Sequence, residues 1–131
     1  NLQMGMTTWA EISDINAARS DCHAWGSSPN IEFFRTVLGI DSDAPGFRTV
    51  RIEPRPGKLE KLKGTMPHPA GMISVDYRVK GQLMDATINL PPGTVGKLIW
   101  MIRVFPLKAG LNTISTLTSS SPQPVITRNN P

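Results

Sequence analysis

Cysteine, aromatic side chains and long apolar runs are all scarce in this chain. The single Cys22 excludes an internal disulfide and any zinc site built from several cysteines. Its neighbour His23 does not make it a nucleophile, because the two halves of a Cys–His dyad normally come from different elements. A small buried packing residue is the expectation for Cys22. The longest apolar stretch, Leu98-Ile99-Trp100-Met101-Ile102, has the length of a strand. A bilayer needs roughly 20 such residues, so no membrane span is expected. No metal-ligand set is apparent, so no metal is assigned. With 39% hydrophobic and 18% charged residues, the composition is that of a folded chain. A length of 131 residues suits one domain, or a compact domain with a piece of another.

Charge is unevenly placed. Residues 1–43 hold six acids against two bases, a net of −4, whereas residues 44–131 hold four acids against twelve bases, a net of +8. An acidic front and a basic back suggest two units with different histories. The bases are scattered along apparent strands, without a run, a stacking motif or a nucleic-acid fold signature. A solvated sheet face explains them, and no nucleic-acid partner is expected.

Against this sparse background, two clusters near the start stand out: Thr7-Thr8-Trp9-Ala10-Glu11 and Ser20-Asp21-Cys22-His23-Ala24-Trp25-Gly26. They place two of the three tryptophans beside acids and an imidazole. Indoles stack on the C–H faces of a pyranose, while neighbouring polar groups bond its hydroxyls or move its protons. On spacing alone the plainer reading leads, a helix junction around buried tryptophans.

Ser28-Pro29 is a helix start, and the pattern predicts a helix from Asn30 to Leu38 that stops at Gly39. Its apolar residues Ile31, Phe33, Phe34, Val37 and Leu38 exceed one narrow stripe, so it should be covered on several sides. The residues before it are too few to do so. We therefore expect an excised piece of a larger helical body, whose uncovered apolar face predicts self-association. Glu32 suits the first turn of that helix, and Asp21 the cap of the preceding turn. Asp41 to Gly46 reads as a linker.

Beyond it the period changes to two. Ile73, Val75, Tyr77 and Val79 alternate with polar residues, as do Met84, Ala86, Ile88 and Leu90, and Lys80-Gly81-Gln82 joins the two as a hairpin turn. Val50 with Ile52, Leu59 to Met66, Lys97 to Phe105 and Leu111 to Leu117 supply further strands. The chain thus reads as mainly β, an antiparallel β-sandwich preceded by a short helical segment. The Ser119–Ser121 run and its prolines read as a loose tail, and His68, between two prolines, as surface.

The two clusters, with Val37-Leu38-Gly39-Ile40, Ala44-Pro45-Gly46-Phe47 and Val50-Arg51-Ile52-Glu53-Pro54, resemble the C-terminal end of bacterial alpha-L-rhamnosidases. Beyond Gly57 the likeness is looser, carried by Gly64, Pro67, Gly71 and Leu90-Pro91-Pro92-Gly93. The resemblance implies that residues 1–43 are the last helices of an α/α barrel of six hairpins, residues 44–118 a C-terminal sandwich and residues 119–131 the tail. It implies hydrolysis of terminal alpha-L-rhamnose with inversion, without an organic cofactor, on rhamnose-containing glycans or glycosides and with the rest of the barrel as partner.

In that family pattern Glu11 matches the catalytic base, while His23, Trp9 and Trp25 match substrate-binding positions. Trp9 stands one place earlier than the aromatic of many relatives. The general acid falls outside these residues, so the chain alone is expected to be inactive. The competing reading is a non-catalytic carbohydrate-binding sandwich, for which Phe47, Tyr77, Trp100 or Phe105 would have to be exposed. Register points Tyr77 inward, and Trp100 sits in an apolar run. A structural role as brace of the last helices therefore leads for the sandwich.

Overall fold

In the computed structural model the described residues are Gln3, 5–12, Asp14, 16–17 and 19–116. Ahead of Ala24 they run in turns and bends. A 3-10 turn, Ala24–Ser27, leads into helix α1, Ser28–Glu32, which widens into a π-helical turn, Phe33–Val37. Pro29 stands at the start of α1, where its missing N–H is no loss. The 3-10 turn is capped by His23 and not by Asp21, the His23 side chain accepting from the Gly26 N–H, and α1 opens with no side-chain cap from Ser28. Glu32 closes α1 instead of opening it, accepting from Thr36 Oγ1 at 2.8 Å beside Arg35. Gly39, at φ 74°, ends the helical segment as expected.

Eight strands follow: β1 Ile40–Ser42, β2 Thr49–Ile52, β3 Lys61–His68, β4 Gly71–Lys80, β5 Leu83–Leu90, β6 Val95–Trp100, β7 Arg103–Leu107 and β8 Gly110–Ser115. They form two four-stranded sheets, ordered β1-β2-β6-β7 and β3-β4-β5-β8. All pairs are antiparallel except β2 with β6, which run parallel. The meander β3-β4-β5 hands the chain across to the β6–β7 hairpin, and β8 returns beside β5.

The alternation in β4 and β5 sends Ile73, Val75, Tyr77, Met84, Ala86, Ile88 and Leu90 inward, against Ile40, Val50, Ile52 and Leu98 of the other sheet. Tyr77 and Trp100 are core residues, as their register and run suggested. Their polar ends are satisfied inside: Tyr77 Oη–H donates to the Leu38 carbonyl at 3.0 Å and Trp100 Nε1–H to the Gln82 carbonyl at 2.7 Å.

Several sequence expectations need correcting. Ile40–Ser42, read as the edge of a linker, is a strand paired with β2, so the sheet begins ahead of residue 44. Lys97 to Phe105 is not one strand but a hairpin, turning at Met101-Ile102. Met101 takes the left-handed backbone, φ 55°, without glycine or asparagine to signal it. The strand placed from Leu59 begins at Lys61, leaving Leu59 exposed. Cys22 is exposed, not a packing residue. His68 is half-buried and ties β3 to the loop before β2, its Nε2 lying 2.7 Å from the Phe47 carbonyl oxygen. The expected tail, residues 119–131, lies outside the described residues.

Candidate functional site

The two aromatic clusters meet. The Glu11 N–H donates to the Ser20 carbonyl at 2.8 Å and the His23 N–H to the Trp9 carbonyl at 2.7 Å, so the two short segments lie side by side. Ala10 between them is buried, and Gly26 packs so close that a Cβ there would stand 3.3 Å from the Ala10 carbonyl oxygen. Small residues at 10 and 26 let the backbones approach. The larger side chains are left pointing outward.

Glu11 and His23 are both about three-quarters buried at the side chain. His23 Nδ1 accepts from the Gly26 N–H at 3.3 Å, which fixes the neutral ring's proton on Nε2. That nitrogen faces Glu11 Oε1 at 3.9 Å, too far for a hydrogen bond but close enough for attraction when the ring is charged. The Arg19 guanidinium bonds the same oxygen and is itself well exposed. Sequence reasoning missed Arg19, since nothing in Ala17-Ala18-Arg19-Ser20 marks it. Trp25 stands edge-on to His23, ring centroids 5.9 Å apart, and is 85% exposed, while Trp9 is 44% exposed. Within the described residues neither of these tryptophans is buried. What the arrangement offers is a carboxylate and an imidazole with two indole faces open to a flat apolar partner.

The other groups singled out in the sequence stand apart in role. Cys22 and Asp21 are exposed, and the Cys22 N–H donates to Ser20 Oγ in a local turn. Among the described residues no group of three or more His, Cys, Asp or Glu side chains is gathered for a metal. No helix among them is long and apolar enough to cross a membrane.

A second polar feature lies where the helical segment meets the first sheet. Glu32, Arg35, Asp41, Arg51, Glu53 and Arg55 alternate in sign as a chain of ion pairs, 3.3–4.0 Å apart, and all but Glu32 line a cavity of about 160 Å³. Each carboxylate of the inner pairs is shared between two guanidiniums, so these charges serve one another. The solvent face of the second sheet is polar as well. Its cross-strand rows read Lys61, Arg78 and Asp85, then Lys63, Asp76 and Thr87, then Thr65, Ser74 and Asn89. None presents an aromatic platform.

Comparison with known proteins bears on the fold. Residues 39–100 match the family described as "Bacterial alpha-L-rhamnosidase C-terminal domain". An alpha-L-rhamnosidase of Alteromonas sp. (strain LOR) is 30% identical over 60 residues, 45% of this chain and 6% of that protein. The chain therefore spans a small part of this relative. Among solved structures, the native alpha-L-rhamnosidase of Aspergillus terreus matches 79% of this chain and 12% of its own, with a TM-score of 0.66 at 20% identity. That of Dictyoglumus thermophilum matches 72% of this chain and 14% of its own, with a TM-score of 0.61 at 17% identity. The Streptomyces avermitilis enzyme, solved with L-rhamnose, matches 70% and 11%, with a TM-score of 0.57 at 21% identity. These likenesses establish the sandwich fold. Over residues 39–100, the chain is similar to the C-terminal domain of the bacterial alpha-L-rhamnosidases.

Proposed function

We propose that this chain is the C-terminal part of an alpha-L-rhamnosidase that hydrolyses terminal alpha-L-rhamnose with inversion. In this reading residues 1–43 are the end of its catalytic barrel, and the sandwich is its brace. Glu11 is the general base, with His23, Trp9 and Trp25 as sugar contacts. The observation that carries the reading is the meeting of Glu11 and His23 between two exposed indoles, held by backbone bonds across segments that the sequence keeps apart. Inversion requires the base to take a proton from a water while that water attacks the anomeric carbon. A second carboxyl, roughly 6.5–9.5 Å away, protonates the departing oxygen. Residues earlier in the parent supply that acid.

Arg19 bonds only Oε1 of Glu11 in the chain described here, which leaves Oε2 to take the proton of an attacking water. The isolated chain, lacking the acid, does not turn over. The polar solvent face of the second sheet and the inward Tyr77 and Trp100 disfavour the alternative of a carbohydrate-binding module. Phe33 and Ile31, exposed by 61% and 47%, are the surface on which the rest of the barrel seats. Without it they drive self-association, visible by light scattering.

Glu11→Gln in the full-length parent should lower kcat by about 10²–10⁴-fold on an aryl rhamnoside while leaving the fold intact. A Glu11→Gln parent that keeps its full rate would exclude Glu11 as the base. Hydrolysis by the purified chain would overturn its proposed inactivity.

A further inference from the structure

The helical segment ends with three successive carbonyls that it cannot satisfy itself, and the sandwich takes all three. The Arg55 N–H donates to the Val37 carbonyl at 3.2 Å, Tyr77 Oη–H to the Leu38 carbonyl at 3.0 Å and the Glu53 N–H to the Gly39 carbonyl at 2.9 Å. Helix ends normally resolve these orphan acceptors with local turns or water. Here the partners come from β4 and from the chain running out of β2. Leu38 itself is 8% exposed, and its side chain lies over Gly64 of β3, where a methyl group would run into Leu38 Cδ1. Gly39 then turns with a left-handed backbone in a space closed by the Glu53 main chain.

We propose that Leu38 is a peg, seated in the Gly64 notch and held by the Tyr77 hydroxyl, through which the sandwich sets the position of the helical segment and so of Glu11 and His23. The other end of that segment completes the path. His23 caps the 3-10 turn through Nδ1 and bonds the Trp9 carbonyl through its N–H, and Gly26 packs on Ala10. Leu38 and Tyr77 are thus positioning residues, distant from any reacting atom. The hydroxyl is the telling group. A phenylalanine would fill the core as well, and a buried hydroxyl is retained without cost only where it has a partner. The inference rests on the rhamnosidase reading only for its last link, from His23 to catalysis.

The test is amide hydrogen exchange on the whole chain, with Tyr77→Phe as the first variant. Loss of the bond should speed exchange of the Leu38 amide and its neighbours in the Phe33–Val37 turn by about five- to tenfold. If only the slowest sandwich amides of β4 and β5 speed up, the hydroxyl is an ordinary core stabiliser and the peg is refuted. The second variant is Gly64→Ala, alone and with Leu38→Val. Shortening the peg should relieve the intruding methyl, so the double variant exchanges no faster in this segment than Gly64→Ala. Additive effects would overturn the notch.

In the parent enzyme, Tyr77→Phe should lower kcat several-fold with KM little changed, and an unchanged kcat would sever the link from Leu38 to Glu11. An active Glu11→Gln parent would instead defeat the catalytic reading. The exchange result would stand unaltered by it.

Discussion

The segment before Gly39 and the sandwich after it are ordered by different forces. The sandwich is ordered by burial: side chains such as Tyr77, Ile88 and Leu98 are almost wholly withdrawn from water. The leading segment buries Ala10 and Leu38 and exposes Trp9, Ile12, Trp25, Ile31 and Phe33. Apart from Phe34, Val37 and Leu38, which pack on the sandwich core, its order comes from backbone bonds, small-residue contacts and ion pairs, none of which supplies the roughly 25 cal/mol per Å² of apolar burial. One region has a core; the other borrows from its neighbours. The acidic front and basic back follow the same line. At the junction the opposite signs interlock in the chain from Glu32 to Arg55, so the contrast in charge becomes a contact.

The sharpest way to break this contrast is to truncate an apolar residue on each side. Ile88→Ala, in the middle of β5 and fully buried, should cost about 3 kcal/mol in denaturant unfolding. Phe33→Ala, 61% exposed, should change the isolated chain by no more than about 0.5 kcal/mol. In the parent the same Phe33 change should weaken seating of the last helices. A large effect of Phe33→Ala on the isolated chain would mean that the leading segment owns a core after all.

A smaller loss is expected at the border itself. Gly39→Ala places a Cβ against the Glu53 main chain at a φ that L-residues disfavour, and should cost about 2 kcal/mol. If the two regions were independent, the loss would appear only in the leading segment. The peg arrangement instead lowers the unfolding midpoint of the sandwich as well, because the Glu53 N–H bonds the Gly39 carbonyl.

How much of this was legible in the residues follows the same border. β4, β5 and their turn at Gly81-Gln82 were readable because strict alternation has one physical meaning, a sheet with one wet face. The β6–β7 turn was not, because Met101-Ile102 is apolar and the run Leu98 to Ile102 hides a reversal whose strands both face the core. Ile40–Ser42 was too short and too acidic to register as a strand, since its partner is set by tertiary register with β2 and not by its own composition. At the candidate site, the proximity of Glu11, His23, Trp9 and Trp25 in sequence was legible. Their side-by-side pairing and Arg19 were not, because a contact eight residues away in irregular chain leaves no period. Tyr77 was rightly placed inward, yet its bond to Leu38 spans 39 residues and no local pattern records it.

That buried phenol also makes the junction sensitive to alkali. Burial pushes the Tyr77 pKa far above its ordinary value of about 10, because the phenolate would lose its water. The unfolded chain ionises near pH 10 while the folded chain stays neutral. The stability tied to the neutral phenol is therefore complete below about pH 10 and falls as pH rises beyond it, by up to about 1.4 kcal/mol per unit. Tyr77 is the only tyrosine in the sequence, so phenolate absorbance reports it alone. Absorbance and unfolding should rise together, and Tyr77→Phe should show a shallower loss of stability above pH 10. Free titration of the phenol in the folded chain would contradict the burial.

The smallest effect discriminates the two regions most directly. Variants that retain one tryptophan each should be quenched by acrylamide in the order Trp25, Trp9, Trp100, following exposures of 85%, 44% and 7%. In the full-length parent Trp100 should keep its protection, because its indole N–H is bonded inside the sandwich whatever surrounds it. Trp25 and Trp9 should lose most of their access to quencher as the barrel closes over them, and added rhamnose should reduce it further if they face the sugar. A Trp25 that remains as accessible in the parent as in the isolated chain would leave the leading segment a surface feature.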